Sequence, residues 1–288
     1  MALSLTNPPK KQLDPEIEKI EIELVLEGIL RYYGFDFREY ATGTIRNHLG
    51  KSIRNEKLKT LSEFQERILH DPGCLERFMA TFGPVCVGFF GEPGFYSAFR
   101  RKVVPILRTY PFLRIWQVGC STGEELYSLA TLLQEENLCN KTNIYTTDIS
   151  ASALEEAKKG AFPLATIRRS KSNYLKSGGI GSFADHYTVH GNQALFDPSL
   201  RKNMIFAVHN LVTDASFNEF NVIFCRNVLS IFSQPLAGRV LKLLKESLVM
   251  LGFLALGGKE RIRSASFKTC FKPIDLPHKL YRRIPSCP

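Results

Sequence analysis

The sequence predicts an α/β protein: a doubly wound parallel sheet carrying a small antiparallel β insertion and preceded by a helical N-terminal domain. Three observations predict it. From Arg114 onward short apolar runs alternate with helical stretches, the pattern that parallel crossovers impose. Before Phe82 nothing alternates with the period of a strand. Between Ile115 and Leu129 an apolar run passes through Gly119-Cys120-Ser121-Thr122-Gly123 into a helical stretch, the entry to a nucleotide-binding sheet.

The elements follow in order. Residues 1–13, with Asn7-Pro8-Pro9-Lys10-Lys11, form a frayed tail. Asp14-Pro15 supplies an N-cap and first turn, and Ile17, Ile20, Leu24 and Ile29 recur near helical spacing up to Gly34. Helical patterns continue over 38–59 and 61–79, so residues 14–95 make a helical domain and its linker. A short helix over 96–104, stopped at Pro105, opens the second domain at 96–288. Its buried strands are 114–118, 143–147, 204–208, 221–225 and 251–256, with helices after the first, second and fourth. An insertion at about 176–203 holds a hairpin of 185–190 and 193–196 turning at Gly191-Asn192.

Composition narrows the class. With 288 residues, 44% of them hydrophobic, the chain is neither fibrous nor wholly disordered, and 38 basic against 28 acidic residues give +10, which favours acidic partners. Seven scattered cysteines without a C-x-x-C pattern argue against a disulfide framework or zinc site and suit a reducing cytoplasm. No leader and no membrane-length apolar run is predicted.

The charge of the glycine loop narrows its ligand. Glu124 and Glu125 fill the first turn of the following helix, where a pyrophosphate would be repelled, and the third glycine of a dinucleotide motif is missing. A ligand that is cationic there and lacks phosphate fits better, and S-adenosylmethionine has both an ammonium and a sulfonium. The plainer alternative is two overlapping capping boxes, Ser121-x-x-Glu124 and Thr122-x-x-Glu125. One βα unit on, Asp148 ends a strand, placed either to accept two ribose hydroxyls or to cap the helix 151–159. His209-Asn210-Leu211 ends the next strand, where an Asn is equally a turn former.

With these pieces in order the chain resembles the chemotaxis receptor methyltransferases, S-adenosylmethionine-dependent enzymes that esterify glutamates of bacterial chemoreceptors. The resemblance rests on Gly119 to Leu129, Thr147-Asp148-Ile149, His209-Asn210-Leu211 and Phe220-Asn221-Val222-Ile223-Phe224-Cys225-Arg226-Asn227-Val228-Leu229. It implies a class I methyltransferase sheet, Rossmann-like, whose insertion docks a receptor tail in some members. It also implies cofactor contacts from Gly119, Cys120, Ser121, Gly123 and Glu124, with Glu124 at the methionine end. Asp148 and Ile149 would meet the ribose, Asn210 and Leu211 the adenine region, and Asn227 the cofactor beside the reacting methyl. The product would be S-adenosylhomocysteine.

Departures from the family pattern bear on the acceptor. A segment expected as Asn-x-Thr-x-Phe-Phe-Arg reads Val85-Cys86-Val87-Gly88-Phe89-Phe90-Gly91, the expected tyrosine is Ile231, and an expected Gly-His-Ser-Glu reads Gly257-Gly258-Lys259-Glu260. Arg226 is left as a candidate catalytic cation beside Asn227, or else a structural ion pair. Residues 38–59 carry six basic and two acidic side chains. Arg46, Lys51 and Arg54 there are candidates for holding an acidic receptor helix, or a merely solvated face. Arg168-Arg169-Ser170-Lys171 reads as a surface loop. The expectation is a cytoplasmic monomer that methylates receptor glutamates, with a cofactor-binding sensor or scaffold as the alternative. A nucleic-acid methyltransferase fits poorly, because the basic clusters lack interleaved aromatics.

Overall fold

The computed structural model describes residues 14–83, 88–260 and 265–285. The expected tail at 1–13 and the departures at Val85, Cys86 and Val87 lie outside the described residues.

Helix α1 (Pro15–Tyr33) starts where the Asp14 carboxylate accepts the Glu16 N–H at 3.0 Å and stops at Gly34, φ +80°. Its buried face is Ile22, Val25, Leu26 and Ile29. Ile17, Ile20 and Leu24, which share the helical spacing, are 53%, 53% and 51% exposed. Apolar residues lie on two sides of this helix, and packing against α3 (Leu61–His70) selects one of them. Helix α2 (Thr42–Asn55) is shorter than its pattern. The expected single helix over 61–79 is two, α3 and α4 (Pro72–Ala80). Pro72 cannot donate to α3, and the Asp71 carboxylate caps α4 by accepting from Gly73 N–H at 3.0 Å. The linker helix begins earlier than predicted, as α5 (Pro93–Lys102), and is followed by the one-turn α6 (Val104–Leu107), whose first turn contains Pro105.

The second domain runs β1 (Leu113–Val118), α7 (Glu124–Glu135), β2 (Thr142–Asp148), α8 (Ala151–Lys159), β3 (Ala161–Pro163), α9 (Leu164–Lys176), β4 (Tyr187–His190), β5 (Gln193–Phe196), β6 (Met204–Val208), β7 (Phe220–Cys225), α10 (Gln234–Glu246), β8 (Leu248–Leu256), α11 (Ala265–Cys270), β9 (Phe271–Asp275) and β10 (Leu280–Arg283). The main sheet has the order β6-β2-β1-β7-β8-β10-β9. Its first five strands are parallel, with Ile115 opposite Ile144 on one side and Val222 on the other. The order reverses beside β1, so the loops after β1, β2, β6 and β7 meet at one crevice.

Two features went unpredicted. β9 and β10 form an antiparallel hairpin on the β8 edge; Pro273 and the charged residues hide the strand signal, and the sheet edge tolerates both. The insertion is a three-stranded sheet, β3-β5-β4, because Ala161–Pro163 joins the expected hairpin directly after α8, well before residue 176. Arg168 to Lys171, expected as a loop, lie within α9, where buried Ser170 accepts the Phe89 N–H at 3.1 Å.

The sheet separates two cores. One face carries Trp116, Val118, Phe220, Ile223 and Cys225 and packs on α10 and the helical domain. The other carries Ile115, Val222 and Phe224 under α5, α7 and the insertion. The domains are also tied by hydrogen bonds: Ala41 N–H to Ile231 O at 3.0 Å, Ser233 N–H to Glu39 O at 3.1 Å, and Arg239 forked onto the Glu39 carboxylate at 2.8 Å twice.

Gly160 turns the chain from α8 into β3 at φ +62°, and a Cβ there would lie 2.5 Å from the Tyr127 hydroxyl oxygen. Gly160→Ala should therefore destabilise the protein by about 1–3 kcal/mol, read as a lowered denaturation midpoint.

Candidate functional site

The crevice above β1, β2, β6 and β7 holds a cavity with about 480 Å³ of empty space, the open solvent at its mouth included. Gly119, Asp148, Ile149, Asn210 and Leu211, all expected at the cofactor, line it, together with Val118, Thr147, His209 and Val228. Its opposite wall is Tyr40, Phe82, Ile231 and Phe232.

Asp148 is the polar centre. One carboxylate oxygen accepts the Ser121 N–H at 2.9 Å and the other the Ser150 N–H at 3.0 Å. The helix cap belongs instead to Ser150, whose hydroxyl accepts from Ala153, so Asp148 is not the capping residue. Burial raises the Asp148 pKa, opposed by backbone N–H groups from Ser121, Ser150, Ile149 and Cys120. Each oxygen keeps acceptor capacity beyond its backbone donor, which suits a pair of vicinal hydroxyls.

The glycine loop divides differently. Its capping boxes do not form: the N-cap of α7 is Gly123, at φ +94°. Ser121 stands at φ +49°, delivering its N–H to Asp148. Cys120 is buried, and its thiol is pushed up to about 12, so it stays neutral. Glu124 accepts from the Thr122 hydroxyl at the helix start, and Glu125 turns inward. Cys120, Ser121, Gly123 and Glu124 thus back or flank the cavity rather than line it. Asn210 is indeed a turn former, its side-chain oxygen accepting the Val212 N–H at 3.0 Å, and it lines the cavity as well.

Arg226, which the sequence left as either a candidate catalytic cation or a structural ion pair, is enclosed and ion-paired. Its side chain is 1% exposed. One Nη donates to Glu125 at 2.5 Å and the other to Glu92 at 2.7 Å, and the guanidinium lies 4.0 Å from the centre of the Phe95 ring. Burial alone would lower its pKa, yet Glu125, Tyr96 and Glu92 raise it and hold it charged. Asn227 follows in the left-handed region, φ +62°, pressed against Gly257, where a Cβ would lie 2.5 Å from the Asn227 Oδ1.

Glu260 fixes this loop. Its carboxylate accepts from Leu229 N–H at 2.7 Å and from Gly257 N–H, with further backbone bonds from Asn227 and Val228. Desolvation outweighs these donors and raises it to about 7.

The helical domain's share of the site went unforeseen. Tyr40 packs edge-on against Phe232 at 5.0 Å, and Phe82 lies 5.4 Å from Tyr40 and stacks on His48 at 4.2 Å. Burial drops His48 to about 4, so it is neutral there. No motif marks Tyr40 or Phe82, because their roles follow only from the docking of one domain on another. Arg46, Lys51 and Arg54 are exposed along α2; Arg46 is held by Glu18 at 3.0 Å. Among the described residues no metal-binding cluster occurs, and no helix is long and apolar enough to cross a membrane.

This crevice, with a buried acid after β2 and a glycine loop after β1, defines an S-adenosylmethionine-binding methyltransferase fold of class I. The family model described as "CheR methyltransferase, SAM binding domain" matches residues 87–280, and "CheR methyltransferase, all-alpha domain" matches 20–82. The chain belongs to the CheR methyltransferase family. Cher3 of Pseudomonas putida is 40% identical over 264 residues, 92% of this chain and 97% of that one. The chemotaxis protein methyltransferase of Listeria monocytogenes is 26% identical over 86% of this chain and 92% of its own length. Chemotaxis protein methyltransferase 1 of Pseudomonas aeruginosa is 28% identical over 76% and 82%. Among solved structures, PKMT2 from Rickettsia typhi in complex with AdoHcy has a TM-score of 0.34 and 16% identity, covering 56% of this chain and 25% of that one.

Arg226→Met leaves Glu92 and Glu125 facing each other without a cation, so it should cost about 3–5 kcal/mol of stability by denaturant titration. For Glu260 the folded pKa lies above the ordinary value of about 4.3, so its contribution to stability is complete below that value and is lost as pH rises through about 7. Glu260→Gln should flatten the stability profile between about pH 4.5 and 7 relative to the unmodified protein. Parallel profiles would mean that Glu260 does not titrate there.

Proposed function

We propose that this protein transfers a methyl group from S-adenosylmethionine to glutamate side chains of a chemoreceptor-like protein, forming methyl esters. The observation that carries the reading is the buried Asp148 carboxylate facing a half-apolar cavity. Asp148 offers acceptors for the ribose, while Ile149, Leu211 and Val228 give an apolar bed for the adenine. Ser121, Gly123 and Glu124 lie at the positive end of α7, where the acid favours an ammonium. The cofactor, when bound, supplies an electrophilic methyl on sulfur.

An acceptor glutamate, with a pKa of about 4.3, is already ionised at neutral pH, so no general base is needed. What the protein contributes is alignment and the exclusion of water. Asn227 stands at the end of β7 beside Val228, and its backbone is held by Glu260. Arg226 acts as a positioning residue, orienting Glu125 and the loop that carries Asn227. The exposed bases of α2, Arg46, Lys51 and Arg54, suit a glutamate-rich helix. A second reading, a cofactor-binding scaffold without transfer, draws on Gly91 and on Ile231, an aliphatic residue in the cavity wall where the family resemblance places a tyrosine.

Calorimetry with S-adenosylmethionine and S-adenosylhomocysteine tests the site. Asp148→Ala should weaken binding about ten- to hundredfold, and unchanged affinity would remove Asp148 from the ribose role. Alkali-labile methyl esters on an acidic helical acceptor separate the two readings: esters support transfer, and tight cofactor binding without esters supports the scaffold. Reversing Arg46, Lys51 and Arg54 to glutamate should raise the acceptor KM severalfold and leave cofactor affinity unchanged.

A further inference from the structure

Beside the cofactor cavity lies a second, open groove of about 650 Å³. Its floor is the turn 229–231, one wall is the first two turns of α10, and the rim is Lys259 and Glu260. Phe232 belongs to both cavities; Ile231 faces the first and Ser230 the second. A chain lying in the groove is thus one short turn from the cofactor.

The lining has a distinct chemistry. Leu229, Phe232, Pro235, Ala237 and Leu241 are apolar, and among the described residues that line the groove Lys259 is the only cation. Glu260 is the only acid among the described residues of the lining, and its carboxylate is engaged by backbone N–H groups. Lys259 is exposed and forms no ion pair with any described residue. Gly238 is also without internal explanation. It sits within α10, where glycine costs about 1 kcal/mol relative to alanine, yet no atom of the described residues lies within 4 Å of where its Cβ would be. A bare helical position beside Ala237 leaves room for close approach by another helix.

Aliphatic walls ending at one unpaired ammonium match an aliphatic side chain ending in a carboxylate. We infer that this groove seats the acceptor helix and that Lys259 holds the acceptor glutamate's carboxylate. In this chain Lys259 takes over a task that neither buried Gly91 nor Ile231 can perform. The inference rests on the proposed methyl transfer and names the residue that selects its acceptor. In the transfer the carboxylate oxygen forms a bond to the methyl carbon as the carbon–sulfur bond breaks, the electron pair leaving with the thioether; no proton moves.

The test uses the full-length protein saturated with S-adenosylhomocysteine and a fluorescent, helix-forming peptide with glutamates one heptad apart. Binding is followed by anisotropy, and methyl-ester formation is followed separately with labelled S-adenosylmethionine. Lys259→Ala should weaken peptide binding about fivefold and raise the peptide KM to match, with S-adenosylhomocysteine affinity unchanged, and Lys259→Arg should restore both. Gly238→Phe should block the peptide in the same assays, and a glutamine version of the peptide should lose its sensitivity to Lys259. Peptide binding that is absent, or indifferent to Lys259 and Gly238, overturns the groove assignment whether or not esters form. Lys259-dependent binding without esters keeps the groove and refutes transfer.

Discussion

Arg226 is the constraint on which the site's arrangement depends. A guanidinium this deeply enclosed is tolerable only if carboxylates meet it in the protein, because the desolvation cost of an unpaired charge would exceed what the surrounding packing contributes. The two that meet it come from different places: Glu125 from the first turn of α7, and Glu92 from the segment leading into α5. Phe95 supplies a ring face to the same cation. One side chain at the end of β7 therefore fixes where the first helix of the sheet domain starts and where the linker from the helical domain runs. It also explains why two adjacent acids follow the glycine loop. Only Glu124 remains at the helix start, since Glu125 points into the protein.

A second fixing point lies across the crevice. Glu260 binds the backbone after β7 to the turn after β8, and in doing so holds Asn227 in a backbone conformation that few residues adopt. The raised pKa is the counterpart of this arrangement. A carboxylate placed to gather four N–H groups has been taken almost wholly out of water, and the backbone dipoles compensate only in part. The two devices together leave the loop above the sheet little freedom.

The parallel sheet was legible because its strands read as short apolar runs, and all five begin and end within a few residues of their predicted limits, although the edge strand β6, read as buried, leaves Ile205 and Val208 exposed. The hairpin β9–β10 was not, since an edge strand need not be apolar and can carry Pro273. Asp148, Asn210 and Leu211 could be placed at the crevice because topology alone puts the ends of β2 and β6 there. The role of Arg226 was open in the sequence, where a lone arginine after a strand is compatible with catalysis or with an ion pair; only the three-dimensional approach of Glu92, more than a hundred residues away in the chain, settles its surroundings. Ile17, Ile20 and Leu24 carry the helical period of α1 and yet stand exposed. A helix that is apolar on two sides presents two equally periodic faces, and the neighbour decides between them.

The wall formed by Tyr40 and Phe82 has a consequence for modularity. The helical and sheet domains are distinct units of sequence, yet the cavity is completed only at their junction, where Ala41 and Glu39 bond to residues 231 and 233. An exchange of helical domains between relatives would also exchange part of the lining of the cavity. Change in the helical domain and change in the cavity wall are therefore inherited together, and divergence in one is checked by the other.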